Sequence, residues 1–332
     1  MVKFLVAVGT YERIIYGLDV TVLASEENAS PVLESKVAFA LPAHTTGYVK
    51  CVASCPKYLV TGGTDEVIRI FDLARRKDIG SINNHEGTVK ALDFYHSSHL
   101  LSAGDDGVVA LFRCKDWECL HVLSKHKKPI NAMRVHPSGK LAVALDFDKN
   151  LMLWNLVTGK LAHSAKIPAL GKLESLAWSA SGSFYALLGE GHLLCFETQS
   201  MRKVIDLKAS TNASSTRLRL EKWLCVAAWK DEGVFFAGEG SSLHYIRFAE
   251  PTVRLVVDTK HSPRIRTINT LETAEGDFVI TAASNGAIHI FAANDLFSAM
   301  RPWGEATAPS ATPLLQHNCE LRVTCATVTL QE

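Results

Sequence analysis

The feature that most constrains this chain is an internal repeat. Residues 64–72, 105–113 and 147–155 superimpose almost without gaps. Each segment holds an acidic residue, a turn, an alternating apolar run, then an aromatic and a polar residue: Asp65 to Phe71-Asp72, Asp106 to Phe112-Arg113, Asp148 to Trp154-Asn155. The aromatics fall 41 and 42 residues apart, and a fourth copy over 190–197 puts Phe196 another 42 residues on. A second marker runs in phase. His44, His85, His126, His261 and His317 each stand a few residues before an apolar strand. His44 precedes Asp65 by 21 residues, His85 precedes Asp106 by 21, and His126 precedes Asp148 by 22.

A period of about 40–45 residues built from short alternating strands is the pattern of WD-type propeller blades. The histidines and aspartates could be read as a metal site or a catalytic dyad. The resemblance to WD repeats implies a scaffold role instead. There the His lies on the turn into the inner strand and hydrogen-bonds the Asp of the next tight turn, with a strand hydroxyl and a Trp extending the network. Thr61, Ser102 and Thr281 stand four residues before Asp65, Asp106 and Asn285 and can supply that hydroxyl. The pairs His44–Asp65, His85–Asp106 and His126–Asp148 are therefore expected to be structural. Phe71, Phe112 and Phe291 take the Trp place, and Ala144 sits where blade four needs a hydroxyl. No blade has the full network, so apolar packing must carry most of the stability.

Counting repeats predicts an all-β, seven-bladed WD40 β-propeller in a single domain over 1–332. Blade two covers 44–82, blade three 85–123, blade four 126–165, blade five 167–208, blade six 220–258 and blade seven 261–316. Blade one takes 1–42 plus 317–332: three N-terminal strands (about 2–10, 13–20 and 32–41) and a C-terminal one (about 321–329). Pairing the chain ends closes the ring and removes exposed strand edges. Asp106-Gly107 and Asn285-Gly286 are tight-hairpin turns. Blade six is the least regular, because its Glu239-Gly240-Ser241-Ser242 turn fits in more than one register. Residues 208–216 read as a surface loop.

Composition narrows the function. The formal net charge is only +1, so any polyanion site has to be a local patch. No run approaches the ~20 apolar residues of a membrane span, and the opening apolar stretch is too short for a signal peptide and reads as a strand. The eight cysteines show no CxxC pair and no zinc-finger spacing, which predicts buried, reduced thiols and no metal or cofactor.

Longer strings point to one family. Residues 5–17 (Leu5-Val6-Ala7-Val8-Gly9-Thr10-Tyr11 through Gly17), Trp117-Glu118-Cys119-Leu120, residues 136–142 from His136-Pro137-Ser138-Gly139, Trp154-Asn155-Leu156-Val157 and Arg322-Val323-Thr324-Cys325 stand in matching order. Together they resemble the p21-activated-kinase-interacting protein family of WD-repeat ribosome (large subunit) assembly factors. The likeness is strongest over 1–165 and at the C-terminal strand. It implies a nucleolar, nuclear 60S assembly factor acting in ribosome biogenesis and rRNA processing. It further implies negative regulation of p21-activated kinase. The implied partners are pre-60S ribosome assembly factors, ribosomal-protein-like proteins, rRNA backbone and p21-activated kinase. No membrane is involved, and the chain acts as a monomer within a larger complex. Family members often continue into a Lys-rich C-terminal tail; this sequence ends at Glu332.

The turns into the inner strands lie on one face of such a ring, and several are basic. The expected partner or rRNA surface comprises Lys50, Lys90, Lys125, Lys127, Lys128, Arg217, Arg219, Arg264 and Arg266, with Asn131, Glu174, Cys225 and Thr324 at matching inner-strand places. Clustered Lys and Arg give salt-sensitive, sequence-independent affinity for phosphates. Exposed aromatics that stack on unpaired bases are not interleaved with them. Trp117, Trp154, Trp178 and Trp229 read as core, whereas Trp303, in the Pro-containing loop 292–312, reads as a partner-docking residue. Arg75-Arg76-Lys77 should project from the opposite face.

Nothing in the chain supports an enzyme. It has no GxSxG, HExxH, Walker-type GxxxxGK[ST] or GxGxxG ahead of a helix. The Gly-rich segments at 61–64 and 238–240 fall in turns without the Lys and helix N-terminus of a phosphate cradle. The alternative to ribosome assembly is a WD-repeat adaptor in signalling or ubiquitin-ligase complexes.

Overall fold

Short apolar runs that alternate with polar residues can bury one face at a time, so each repeat needs a neighbour on either side. The computed structural model shows how this chain meets that need. It describes residues 2–23, 31–124, 126–167, 170–189, 191–209, 222–262, 264–303 and 309–331. Seven antiparallel sheets form seven blades around a channel. From channel to rim, blade two is Val49–Ser54, Tyr58–Gly63, Ile68–Asp72 and Lys77–Ile82. Blade three is Val89–Tyr95, His99–Gly104, Val109–Arg113 and Glu118–Leu123. Blade four is Ile130–Val135, Leu141–Asp146, Asn150–Asn155 and Lys160–Lys166. Blade five is Leu173–Trp178, Phe184–Gly189, His192–Glu197 and Lys203–Lys208. Blade six is Trp223–Trp229, Gly233–Gly238, Ser242–Arg247 and Arg254–Asp258. Blade seven is Ile265–Thr273, Gly276–Ala283, Ala287–Ala292 and Leu315–Asn318.

Blade one joins the chain ends. Val323–Gln331 lines the channel and pairs antiparallel with Val2–Thr10, from Lys3 opposite Gln331 to Thr10 opposite Val323. Ile14–Leu23 and Val32–Pro42 complete the blade outward. The expected all-β, seven-bladed ring with a three-plus-one closure is therefore the observed fold. His317 departs from its expected place. The repeat count gives residues 317–332 to blade one, but His317 lies on the outer strand of blade seven, opposite Ile288. Its Nε2 is 2.7 Å from the Tyr16 hydroxyl of blade one, so it fastens the seam from the outside.

The core is divided in the same way. Seven apolar clusters lie among the described residues, one between each pair of neighbouring blades. Leu5, Val49 and Phe71 pack between blades one and two; Phe4, Phe278 and Ile290 pack between blades seven and one. Fully burying one such side chain contributes roughly 1.5–3 kcal/mol. One neutral hydrogen bond adds only about 1 kcal/mol net. Apolar packing therefore outweighs the polar networks, as the incomplete His–Asp sets imply.

The segment after blade seven's third strand contains more structure than the loop expected from its prolines. Ala293–Ala299 is a helix. Its Phe297 packs among Trp229, Phe235 and Tyr245 of blade six. Arg301–Pro302 then adds a short fifth strand to the outer edge of blade six. Asp295 in the first turn complements the helix N-terminus, and Leu296 and Phe297 bury the inner side of the turn against blade six, which local composition did not reveal. Among the described residues no helix is long and apolar enough to cross a membrane.

Candidate functional site: the channel mouth

Two sets of polar residues compete for a functional reading, and their geometry separates them. The histidines belong to the blades. His44 Nδ1 is 2.8 Å from Asp65 Oδ1, and its Nε2 is 3.0 Å from the Thr61 hydroxyl. His85 makes the same contacts with Asp106 (2.8 Å) and Ser102 (2.6 Å). All four polar partners are tied up inside the sheet, and burial holds the His44 imidazole below its usual range against the pull of Asp65. Blade five has no histidine at this place; fully buried Leu170 fills it and lies against Gly189.

Blade four corrects the sequence reading. His126 does not meet Asp148, which is exposed. Its Nδ1 lies 3.1 Å from Oδ2 of Asp146, the last residue of the second strand. Blades two and three have Gly63 and Gly104 there, and a Cβ at either glycine would run into the paired Asp and His. Blade four fills that slot with the carboxylate itself, and Asn150 anchors it through its backbone N–H (2.9 Å) and side-chain amide. With Ala144 in the hydroxyl place, His126 Nε2 has no partner among the described residues; nor does the indole N–H of buried Trp154. In blade seven, Nε2 of His261 lies 2.8 Å from the Thr281 hydroxyl, but its ring stacks on His289 at 3.8 Å rather than meeting Asn285. Asn285 accepts the Ala287 N–H instead.

The second set faces the channel. In every blade the ladder between the inner strand and its neighbour slips by one residue near the start of the inner strand. A bulge of this kind leaves one residue out of the pairing and re-aims its side chain. The skipped residues are Lys50, Lys90, Asn131, Glu174, Leu224, Arg266 and Thr324, a ring drawn from all seven blades. All of them line the channel mouth. Blade six differs from expectation by one residue: the slip falls between Trp223 and Cys225, so Leu224, not Cys225, joins the ring. Cys225 is buried, its thiol directed at backbone oxygens of Ala237 and Ile265.

The ring is mixed, with three basic residues, one acidic and three uncharged, so its net charge is positive. Lys90 reaches Asp105 at 3.3 Å, and Glu174 lies 3.8 Å from Lys172. Lys50 and Arg266 have no ion-pair partner among the described residues. Deeper in the channel, Arg134 donates to the Leu176 carbonyl (3.3 Å) and lies 3.8 Å from Asp93. Burial pushes the Asp93 carboxyl up, with Arg134 opposing the rise. This pair was not singled out from the sequence. Opposite charges 41 residues apart, one blade period, were the available signal.

Other expected surface residues fall in different settings. Lys127 and Lys128 are exposed on the turn into blade four's inner strand. Lys125, Arg217 and Arg219 lie outside the described residues. Arg264 is half-buried in a bridge between Glu239 and blade seven. Arg76, on the opposite face, donates to Asp19 at 2.5 Å. Trp303 covers the Arg254 guanidinium at 3.9 Å, and its N–H donates to the Arg254 carbonyl (2.7 Å). It therefore caps a stack of Trp223, Arg254 and Trp303 on blade six while keeping 40% of its surface exposed.

A ring of bulged inner-strand residues at the mouth of a closed seven-bladed propeller, over histidines committed to the scaffold, defines a WD-repeat protein. The family model described as "WD domain, G-beta repeat" matches residues 35–72, 76–113 and 117–155. The chain is a homologue of the p21-activated protein kinase-interacting proteins. It is 29% identical to "p21-activated protein kinase-interacting protein 1-like" of Danio rerio, over 96% of this chain and 79% of that protein. It is 32% identical to "Protein MAK11" of Saccharomyces cerevisiae (60% of this chain, 53% of that protein). It is 26% identical to "Shk1 kinase-binding protein 15" of Schizosaccharomyces pombe (88% and 77%).

Proposed function

We propose that this chain is a non-catalytic interaction scaffold of large ribosomal subunit assembly that works in the nucleolus. The observation that carries the reading is the family resemblance at residues 5–17, 117–120, 136–142 and 154–157, extended by homology along 96% of the chain. The site fits a binding role: a polar channel mouth of net positive charge, with the histidines best suited to general-base chemistry held in the blade networks. Partners are other assembly factors and ribosomal-protein-like proteins at the channel mouth, with rRNA backbone at the exposed basic turn of Lys127 and Lys128. Negative regulation of a p21-activated kinase is a second activity of the same surface, favoured by the kinase-binding names of two relatives.

Sucrose-gradient sedimentation of tagged protein tests the assembly role. Co-sedimentation with large pre-ribosomal particles is the expected result. Recovery in small complexes alone would overturn it in favour of a WD-repeat adaptor in signalling or ubiquitin-ligase complexes.

A further inference from the structure

The channel throat, at the bulge ring and just below it, holds more unpartnered buried polar atoms than any other part of the described molecule. Nine buried side-chain N or O atoms lack a protein partner among the described residues. Three of them, Arg266 Nε, Thr267 Oγ1 and Asn269 Nδ2, sit within four consecutive positions of one inner strand, and all three residues line the channel. Each can donate a hydrogen bond. These three atoms are themselves closed to solvent, so an incoming acceptor meets the outer edge of the half-buried Arg266 guanidinium first. The charge of the wall says what kind. Among the described lining residues Lys50, Lys90, Arg134 and Arg266 outnumber the single acid Glu174. Asp105 and Asp93 already partner Lys90 and Arg134, which leaves Lys50 and Arg266 unpaired among the described residues, on a chain whose net charge is only +1.

We propose that this throat is a carboxylate site: an Asp- or Glu-rich peptide segment of a partner protein inserts an acidic side chain through the mouth toward Arg266 of the ring. The outer edge of a guanidinium matches the two oxygens of a carboxylate. Leu224, Met133 and Ile268 add apolar wall for the methylene stem. RNA fits less well. No aromatic among the described residues lines the channel to stack a base. Glu174 at the mouth also opposes a run of phosphates, whereas one inserted carboxylate can lie toward the Arg266 side. This names the partner chemistry of the mouth and rests on the scaffold reading above. The two nevertheless fail separately, because peptide affinity is measured on purified protein and particle association on tagged protein.

The test is fluorescence anisotropy of a labelled glutamate-rich peptide with the purified full chain, with melting curves to confirm folding of each variant. Saturable, salt-sensitive binding is expected. Arg266→Met should weaken it by about tenfold or more, the loss that follows from leaving one partner of a buried ion pair without the other. Thr267→Val should weaken it less, and Lys77→Met on the opposite face should leave it unchanged. If Arg266→Met does not fold, the pair Lys50→Gln and Lys90→Gln gives the same reading from the rim of the site. Absence of saturable binding, or wild-type affinity in the folded throat variants, would overturn the proposal. So would oligouridylate of matched charge binding more tightly than the peptide, which assigns the mouth to RNA. Inorganic phosphate displacing the peptide at comparable concentration would assign the throat to a free anion and overturn the peptide likewise.

Discussion

His126 Nδ1 meets Asp146 Oδ2 at 3.1 Å, while Asp148, two residues further on, stands exposed in the turn. Asp146 is also the acceptor for the Asn150 N–H and side-chain amide, so its removal strands several buried donors. Asp146→Ala should destabilise the fold by about 1–3 kcal/mol. Asp148→Ala should stay within about 0.5 kcal/mol of wild type. Denaturant midpoints of the two variants distinguish this pairing from the one the repeat spacing suggests.

The same histidine offers a gain. Thr61, Ser102 and Thr281 place a hydroxyl on the Nε2 of His44, His85 and His261, and fully buried Ala144 occupies that place in blade four. Ala144→Ser adds a donor to the unpartnered His126 Nε2 and should stabilise by about 1 kcal/mol, read as a higher denaturant midpoint at constant slope.

Acid should destabilise the ring through these histidines. Burial lowers the pKa of His44 and His126, and burial together with the stacked His289 pushes His261 down to about 3. An unfolded histidine titrates at about 6.5. Below that value the unfolded chain binds protons that the folded chain refuses, so this stability is complete above about pH 6.5 and drains away as pH falls toward about 3. Melting temperature should therefore be lower at about pH 5 than at about pH 7.5, and His261→Asn should flatten the dependence.

Closure of the ring depends on its last strand. Removing residues 323–332 takes away the inner strand of blade one and exposes the whole edge of Val2–Thr10, whose far half is fully buried. Such an edge invites pairing between molecules. The truncated chain should aggregate and lose its cooperative melt, whereas removal of Glu332 alone should have no such effect.

Much of this was legible in the sequence because repetition reports spacing. The period set the blade number, and the leftover strands at the two ends set the closure. What the sequence hid were shifts of one or two residues inside a blade. Asp146 and Asp148 both satisfy the spacing to His126, and only the strand-end geometry chooses between them. Cys225 and Leu224 are likewise adjacent, and the position of the ladder slip after Trp223 decides which one faces the channel. Trp303 shows a third limit: the Arg254 guanidinium it covers comes from a strand about 50 residues earlier in the chain, a contact no local pattern reports, while the 40% of its surface left open is what a docking residue needs.

The channel mouth of the closed ring is the proposed surface for joining this chain to large pre-ribosomal particles. The most direct measurement compares gradient sedimentation of tagged wild type with a Lys50→Glu, Lys90→Glu, Arg266→Glu variant of unchanged melting temperature. Wild type in the heavy fractions and the variant in the light ones is the predicted result. A folded variant that stays with the heavy particles, or a wild type that never reaches them, would contradict the account.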